Sequence, residues 1–371
     1  MPSTAVRQRL SIAKRIVVKV GTNAICDARG RLDHRVVAHL AEQIAQLMRQ
    51  GRRVILVASG AIGAGLAELD LPQRPKELPM LQATAAVGQG QLMRAFHDAF
   101  APLGIKVAQV LVTRDAFEDR RRYLNVRNTL TALGRLGALP IINENDAVAV
   151  EEIRFGDNDV ISALVANMVG ADLLVLLTSV DGLLSEGEVV EVVESAHCVM
   201  SLVKTSRSKL GSGGMGSKLT AGEMVTRAGE IAVIANGSTP NVLPRLLAGE
   251  KLGTVLLPAR TRMSSRRRWI AQAARASGKL MVDDGAIKAL CQMGKSLLPS
   301  GIRGVMGRFQ RGATVAIVDS SGRTIARGLC NYSSEEVDRI KGLKSSQIAK
   351  ALGRAGRADA EVVHRNNMTL A

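Results

Sequence analysis

Aromatic residues are scarce: five Phe, two Tyr and one Trp make up 2% of 371 residues. So few rings leave few stacking platforms for single-stranded nucleic acid, and the core must be aliphatic, built from Val, Leu, Ile and Ala. Cysteine is sparse as well. Cys26, Cys198, Cys291 and Cys330 stand far apart, with no CxxC and no Cys/His cluster, which argues against a zinc site or a disulfide framework. The five histidines, His34, His39, His97, His197 and His364, are scattered. No apolar run reaches the length of a membrane span. The first twenty residues interleave Arg7, Arg9, Lys14 and Arg15 with short apolar steps, which is not a secretory pattern. Reduced thiols and the lack of an address give the expectation of a cytoplasmic protein.

What is present suits a folded protein: 46% apolar and 22% charged residues are enough for an ordinary core. Lys and Arg total 50 against 33 acids, a formal charge of +17. The excess is uneven. Residues 1–260 hold 30 basic and 25 acidic residues, a net of +5, while 261–371 hold 20 and 8, a net of +12. A nearly balanced part is followed by a basic module whose field favours polyanions.

Continuous apolar runs at Arg15–Val20, Val54–Ala58, Ile105–Val112, Leu139–Ile142, Leu173–Leu177 and Ile231–Ala235 read as buried strands. They alternate with helical stretches at Val36–Arg49, Leu81–Phe100, Leu124–Leu136, Asp159–Met168 and Gly216–Ala228. Leu71–Pro79, with three prolines, reads as a loop. Fully apolar strands alternating with helices predict an α/β fold, a mainly parallel sheet sandwiched by helices. After Arg260 the pattern changes to short strands broken by glycine, at Leu280–Val282, Gly304–Phe309, Thr314–Val318 and Thr324–Gly328, a small β-rich domain. The expected division is 1–260, a basic connector 261–277, and 278–371.

In a parallel sheet the loops at the carboxyl ends of the strands form the ligand crevice. Lys19 stands at such an end, in an otherwise apolar strand before Gly21-Thr22. Its charge needs an anion or carboxylate there, unless its stem is covered while its head reaches water. Ser59-Gly60-Ala61-Ile62-Gly63-Ala64-Gly65 follows the second strand. Its small residues let a ligand approach the backbone, or simply make a tight turn; nothing marks a base for a nucleophilic serine. Asn143-Glu144-Asn145-Asp146 and Phe155-Gly156-Asp157-Asn158-Asp159 are polar clusters at the same edge. Their amides and carboxylates suit an amino acid, and one carboxylate can hold two lysines; Asp157 or Asn158 could also cap a helix. Gly211-Ser212-Gly213-Gly214-Met215-Gly216-Ser217-Lys218 precedes a helical run. It is either a phosphate loop, with backbone N–H groups and Lys218 facing the anion, or a flexible linker, and the P-loop order is swapped at its last two positions. Arg120–Arg122 and Arg266–Arg268 read as solvated faces.

Taken together, VVKVGTNAI (17–25), VASGAIGAG (57–65), AAVGQGQL (85–92), LPIINENDAVA (139–149), FGDNDVISALVA (155–166), LLVLLTSVDGL (173–183) and SGGMGSKLTAG (212–222) resemble the glutamate 5-kinases, a branch of the amino acid kinase family. KLMVDDGA (279–286) and GKSLLPSGI (294–302) resemble that branch's C-terminal PUA domain, a small β-barrel-like module used elsewhere for RNA binding. The resemblance spans nearly the whole chain. It implies an amino acid kinase domain over 1–260, a PUA domain over 278–371, and ATP-dependent phosphorylation of the side-chain carboxylate of L-glutamate, the first step of proline biosynthesis from glutamate.

By that resemblance Lys19 and Lys218 contact the transferring phosphoryl group and Asp159 orients both lysines. Ser59, Asp146 and Asn158 bind glutamate. Lys19, Thr178, Ser179 and the loop Ser212, Gly213, Gly214, Met215, Gly216, Ser217 and Lys218 bind ATP, with Mg²⁺ arriving on the nucleotide and no metal cage of the protein's own. Proline as feedback inhibitor, weak RNA binding through the PUA domain and a homo-oligomer are implied in the same way. Ser179 stands where the family commonly has Asp, Leu184 where it commonly has Tyr, and the stretch from Ser185 to Ser208 is shorter; these departures fall on the expected adenine side. The competing readings are a kinase of another acidic amino acid and an RNA-binding protein with a degenerate kinase fold.

Overall fold

The computed structural model describes residues 3–27, 31–149, 157–194, 199, 214–259, 262–272, 275–353 and 359–370. The chain forms two compact units, one of 1–116 and 121–262, the other of 117–120 and 263–371.

The first unit is built on β1 (Arg15–Val20), β2 (Arg53–Ala58), β3 (Val107–Val112), β4 (Leu139–Glu144), β5 (Leu173–Thr178), β6 (Leu184–Ser185), β7 (Glu188–Val189), β8 (Val192–Val193), β9 (Ile231–Asn236) and β10 (Thr254–Leu256). Its sheet runs β3-β4-β2-β1-β5-β9-β10-β8, with β6 and β7 as a separate hairpin. From β3 to β9 every pairing is parallel, and only β10 against β9 is antiparallel. The mainly parallel sheet follows from strands apolar on both faces: all six residues of β4 and five of six in β1 and β5 are buried. Helix His34–Arg49 buries Val37, Leu40, Ala41, Ile44, Ala45 and Leu47, the three-to-four spacing of one face. Its start is capped by Asp33, whose carboxylate accepts from the Arg35 and Val36 N–H groups.

Helix Leu78–Phe100 begins inside the stretch expected to be a loop. Pro79 does not stop it, because a first-turn proline gives up no intrahelical hydrogen bond. Nor does Gly88 break it; that residue is used for packing. A Cβ on Gly88 would sit 1.8 Å from the Ala61 carbonyl oxygen, and one on Gly65 would sit 1.9 Å from that of Thr84. The two glycines let helices Ala61–Glu68 and Leu78–Phe100 cross backbone to backbone. Helix Ala61–Glu68 starts directly after Ser59-Gly60, and Gly60 takes the left-handed conformation at φ +117°, so this crossing also sets where the Ser59 loop lies.

The second unit carries β11 (Gly278–Val282), β12 (Ile302–Met306), β13 (Thr314–Val318), β14 (Thr324–Cys330) and β15 (Val363–Leu370) in one mixed sheet of order β12-β11-β13-β14-β15. Leu280, Val282, Val315, Ile317, Ala326, Tyr332, Val337, Ile340 and Val363 form its core. Helix Ser333-capped Ser334–Ile340 is fastened by a reciprocal Ser333–Glu336 capping box.

The arginine runs are solvated for the most part, as expected: Arg121, Arg122, Arg266 and Arg267 are exposed, while Arg120 is half-buried and Arg268 buried. Helix Ser265–Gln272 packs on β15. Arg266 donates to Asn367 Oδ1, Arg267 to the Met368 carbonyl, and Arg268 is buried and donates to the Met263 carbonyl. Trp269 is buried with its Nε1–H on the Phe117 carbonyl, and the Arg120 guanidinium lies 4.9 Å from the centre of its ring, a cation–π contact. Only tertiary partners turn such a charge run into structure.

Gly88→Ala is expected to lower the free energy of unfolding by about 2 kcal/mol or more, since the backbone it meets cannot move aside. Gly90→Ala, on the same helix with open space around it, is expected to raise it by about 0.5–1 kcal/mol. Urea unfolding of the two variants checks the pair; equal effects would exclude the crossing as the cause.

Candidate active site

Two polar networks lie at the carboxyl edge of the first unit's sheet. Lys19, the fifth residue of β1, sits between Val57 of β2 and Leu176 of β5 and is 5% exposed. An ammonium group so placed needs an anion, and finds it in Asp159, on the first turn of helix Asp157–Val169 and fully buried. Lys19 Nζ is 2.7 Å from Asp159 Oδ1 and Lys218 Nζ is 3.1 Å from Oδ2. Lys218 comes from the first turn of helix Met215–Arg227, whose N-cap is Gly214. Ser217 has one hydroxyl proton for two acceptors, Asp159 Oδ2 at 2.6 Å and the Gly214 carbonyl at 2.8 Å.

Burial by itself would push the Asp159 carboxyl up. The charges of Lys19 and Lys218, with hydrogen bonds from Lys19 and Ser217, outweigh it and hold the group at about 2. Burial pushes Lys218 below the usual lysine range; Asp159 opposes that shift and Lys19 adds to it. Two ammonium groups share one carboxylate, so the cluster carries an uncompensated positive charge. The amino end of helix Met215–Arg227 adds a partial one. The cluster is therefore electropositive despite its burial.

The second network begins one residue away on the same helix turn. Asn158 donates from Nδ2 to Ser59 Oγ at 3.1 Å and to Asn143 Oδ1 at 2.9 Å. Asn143, at the end of β4 and 2% exposed, also accepts from the Glu144 N–H and donates to Gln89 Oε1. Asn158 is therefore no mere helix cap: its side chain joins the loop after β2 to the end of β4. Asp146 is half-buried just beyond β4, and its charge acts on the Arg74 guanidinium, which burial pulls below its ordinary value. Thr178 ends β5 and accepts from the Gly237 N–H, while Ser179 beyond it is exposed. Asp181 accepts from Asn236, at the end of the neighbouring β9. Ser212 and Gly213 lie outside the described residues.

Of the residues singled out by sequence, the fold thus joins Lys19, Asp159, Ser217 and Lys218 in one cluster, and Ser59 and Asn158 in the other. It adds Gln89 and Arg74, which were not singled out as ligand-binding, and brings in Asn143 from the cluster whose amides suited an amino acid. Gln89 lay in AAVGQGQL (85–92), one of the stretches that carry the family resemblance, but no ligand role was read from it. Asn143 lay in a recognised polar cluster. Arg74 carried no signal, sitting in a proline-rich stretch.

The first unit is an α/β domain with paired lysines and a glycine-led helix at the carboxyl edge of a mainly parallel sheet. Residues 14–236 match the amino acid kinase family and residues 278–352 match the PUA domain; the chain belongs to the amino acid kinase family. Its relatives include the glutamate 5-kinase of Caldanaerobacter subterraneus subsp. tengcongensis, 48% identical over 364 residues, covering 96% of this chain and 97% of that one. That of Herpetosiphon aurantiacus is 49% identical over 362 residues, covering 95% and 97%. That of Thermosynechococcus vestitus is 46% identical over 371 residues, covering 97% and 100%.

Because the Asp159 carboxyl is held at about 2 rather than 3.8, its contribution to stability is complete above the ordinary value and is lost as pH falls through 2. Asp159→Asn removes that contribution and leaves two buried ammonium groups facing each other, at a cost of about 3 kcal/mol or more. Urea unfolding between pH 7 and pH 2 is expected to show a steeper acid loss in the parent than in the variant; parallel curves would contradict this account of Asp159.

Proposed function

We propose that this chain transfers the γ-phosphoryl group of ATP to the side-chain carboxylate of L-glutamate, giving L-glutamyl 5-phosphate and ADP, the first step of proline biosynthesis from glutamate. The observation that carries the reading is the buried Lys19–Asp159–Lys218 cluster, with one more cation than anion. The near-full-length likeness to glutamate 5-kinases names the acceptor.

The chemistry needs little from the protein beyond charge and position. A carboxylate is already ionised at neutral pH, so no general base is required. A carboxylate oxygen forms the new bond to phosphorus as the bond to the β-phosphate oxygen breaks and ADP leaves. The obstacle is the approach of one anion to another. Lys19 and Lys218 offset that repulsion and hold charge on the migrating group, as positioned cations do in phosphoryl transfer. Asp159 keeps the two ammonium groups apart and aimed at one place. The Gly214–Lys218 turn presents backbone N–H groups to the phosphates, with Ser212, Gly213, Thr178 and Ser179 completing the nucleotide side. Ser59, Asn158 and Asp146 hold the amino acid, Asp146 facing its ammonium group.

Mg²⁺ belongs to this reading as part of the MgATP substrate. An ion carried in on the phosphates keeps much of its own water. Proline as a feedback ligand, a homo-oligomeric cytoplasmic enzyme and weak RNA contact through the PUA domain complete the proposal. An RNA-binding role as the main function is disfavoured, because the likeness to glutamate 5-kinases runs over nearly the full chain.

Coupled ADP release is expected with glutamate and far less with N-acetylglutamate or aspartate, and hydroxylamine is expected to trap the acyl phosphate; equal rates on all three would reject the acceptor. Lys218→Met is expected to abolish turnover in a folded protein. Since Lys218 must be protonated to act and burial lowers its pKa, kcat/KM for MgATP falls as pH rises, beginning below the usual lysine range. Asp146→Ala is expected to raise the KM for glutamate at least tenfold while leaving that for MgATP within about twofold; an unchanged glutamate KM would remove its role.

A further inference from the structure

The amides around Asn143 are oriented by one fixed donor. The Glu144 N–H lies 2.8 Å from one end of the Asn143 side chain, so that end must be the oxygen, since an N–H donates. The Asn158 group 2.9 Å from the same oxygen must then be its NH₂. That NH₂ also meets Ser59 Oγ, which leaves the Ser59 hydroxyl proton free to point elsewhere. The other end of Asn143 is NH₂ and lies 2.7 Å from Gln89, so Gln89 presents its oxygen there. The usual ambiguity of amide orientation is removed along the whole chain of contacts, and it runs outward from a single backbone group.

Two atoms are left over. Asn158 Oδ1 and Gln89 Nε2 are shielded from solvent and have no hydrogen-bond partner among the described residues. A buried polar atom without a partner is costly, and two of them at the ends of one network form a pattern: a donor on Gln89, an acceptor on Asn158 and a donor on Ser59. An amino acid matches it. Its ammonium group supplies hydrogen to the Asn158 oxygen, and a carboxylate accepts from the Gln89 NH₂.

Sheet order says which carboxylate. Lys19 is on β1, Ser59 follows β2 and Asn143 ends β4, and these strands are consecutive neighbours. At roughly 4.8 Å per strand, the Gln89–Asn143 end lies about 10 Å along the sheet from the strand of Lys19. The reacting carboxylate belongs at the lysines, so the α-carboxylate belongs at the far end. We infer that Gln89 is a further substrate-binding residue of this site, donating from Nε2 to the α-carboxylate of the amino acid, with Asn143 as the positioning residue that fixes its polarity. The inference rests on the proposed glutamate kinase activity and adds a specificity determinant to it.

The test compares glutamate with isoglutamine, whose α-carboxylate is an amide, on the full-length enzyme with MgATP. Gln89→Leu is expected to raise the KM for glutamate about tenfold or more, to leave the KM for MgATP within about threefold, and to shrink the glutamate-over-isoglutamine ratio of kcat/KM by the same factor. Gln89→Glu keeps an acceptor for Asn143 but turns an oxygen toward the substrate, so it is expected to shift preference further toward isoglutamine. Thermal melting without ligand shows whether each variant folds, and if Gln89→Leu does not, Gln89→Glu carries the test. An unchanged glutamate KM, or an equal loss on both substrates, would overturn the role of Gln89 while the parent's activity stands. A parent enzyme with no glutamate-dependent ADP release would overturn the functional reading itself, and this inference with it.

Discussion

One buried carboxylate holds two buried ammonium groups in place. Asp159 has no solvent exposure, yet it stays ionised because two ammonium groups and a hydroxyl surround it. Its partners depend on it equally: Lys19 and Lys218 are each more than nine-tenths buried, and without the carboxylate they would repel each other in a medium that screens them poorly. The cluster stores a useful imbalance, two positive charges against one negative. A stable fold would not keep such an excess in its interior unless an anion were to meet it there, and the migrating phosphoryl group is that anion in the proposed reaction.

The rest of the first unit places these three side chains. Adjacent parallel strands bring the end of β1 beside the loops after β2 and β5, and the first turns of helices Asp157–Val169 and Met215–Arg227 deliver Asp159 and Lys218. Close contact between helices Ala61–Glu68 and Leu78–Phe100 settles the Ser59 loop. The same long helix carries Gln89 one residue past the crossing glycine, so the packing that fixes the loop also fixes the far end of the Asn143 hydrogen-bond network. In the proposed reading packing and recognition share residues, because small side chains that permit a tight crossing also bring polar neighbours to the sheet edge.

Much of this was legible before folding was considered. Strands β1, β2, β4, β5 and β9 are continuous apolar runs whose type and place follow from burial on both faces, and Lys19 in such a run calls for a counter-charge. The second unit was harder to read. Strand β15, VHRNNMTL, lacks apolar alternation over its middle, and helix Ser265–Gln272 is disguised by three arginines, so neither announces itself by periodicity. Arg266 and Arg267 reveal their purpose only when Asn367 and Met368, about a hundred residues later, lie across from them.

Sequence alone determined the parallel α/β architecture, the glycine-led turn before Lys218 and, through the resemblance of whole segments, the reaction class, because these depend on local pattern and on spacing within a stretch. The tertiary structure decided which acid meets which lysine, that Arg74 feels Asp146, and which way the Gln89 amide faces. Those outcomes turn on a few ångströms between residues distant in the chain, and on a hydrogen bond from a single backbone N–H that no string of letters displays.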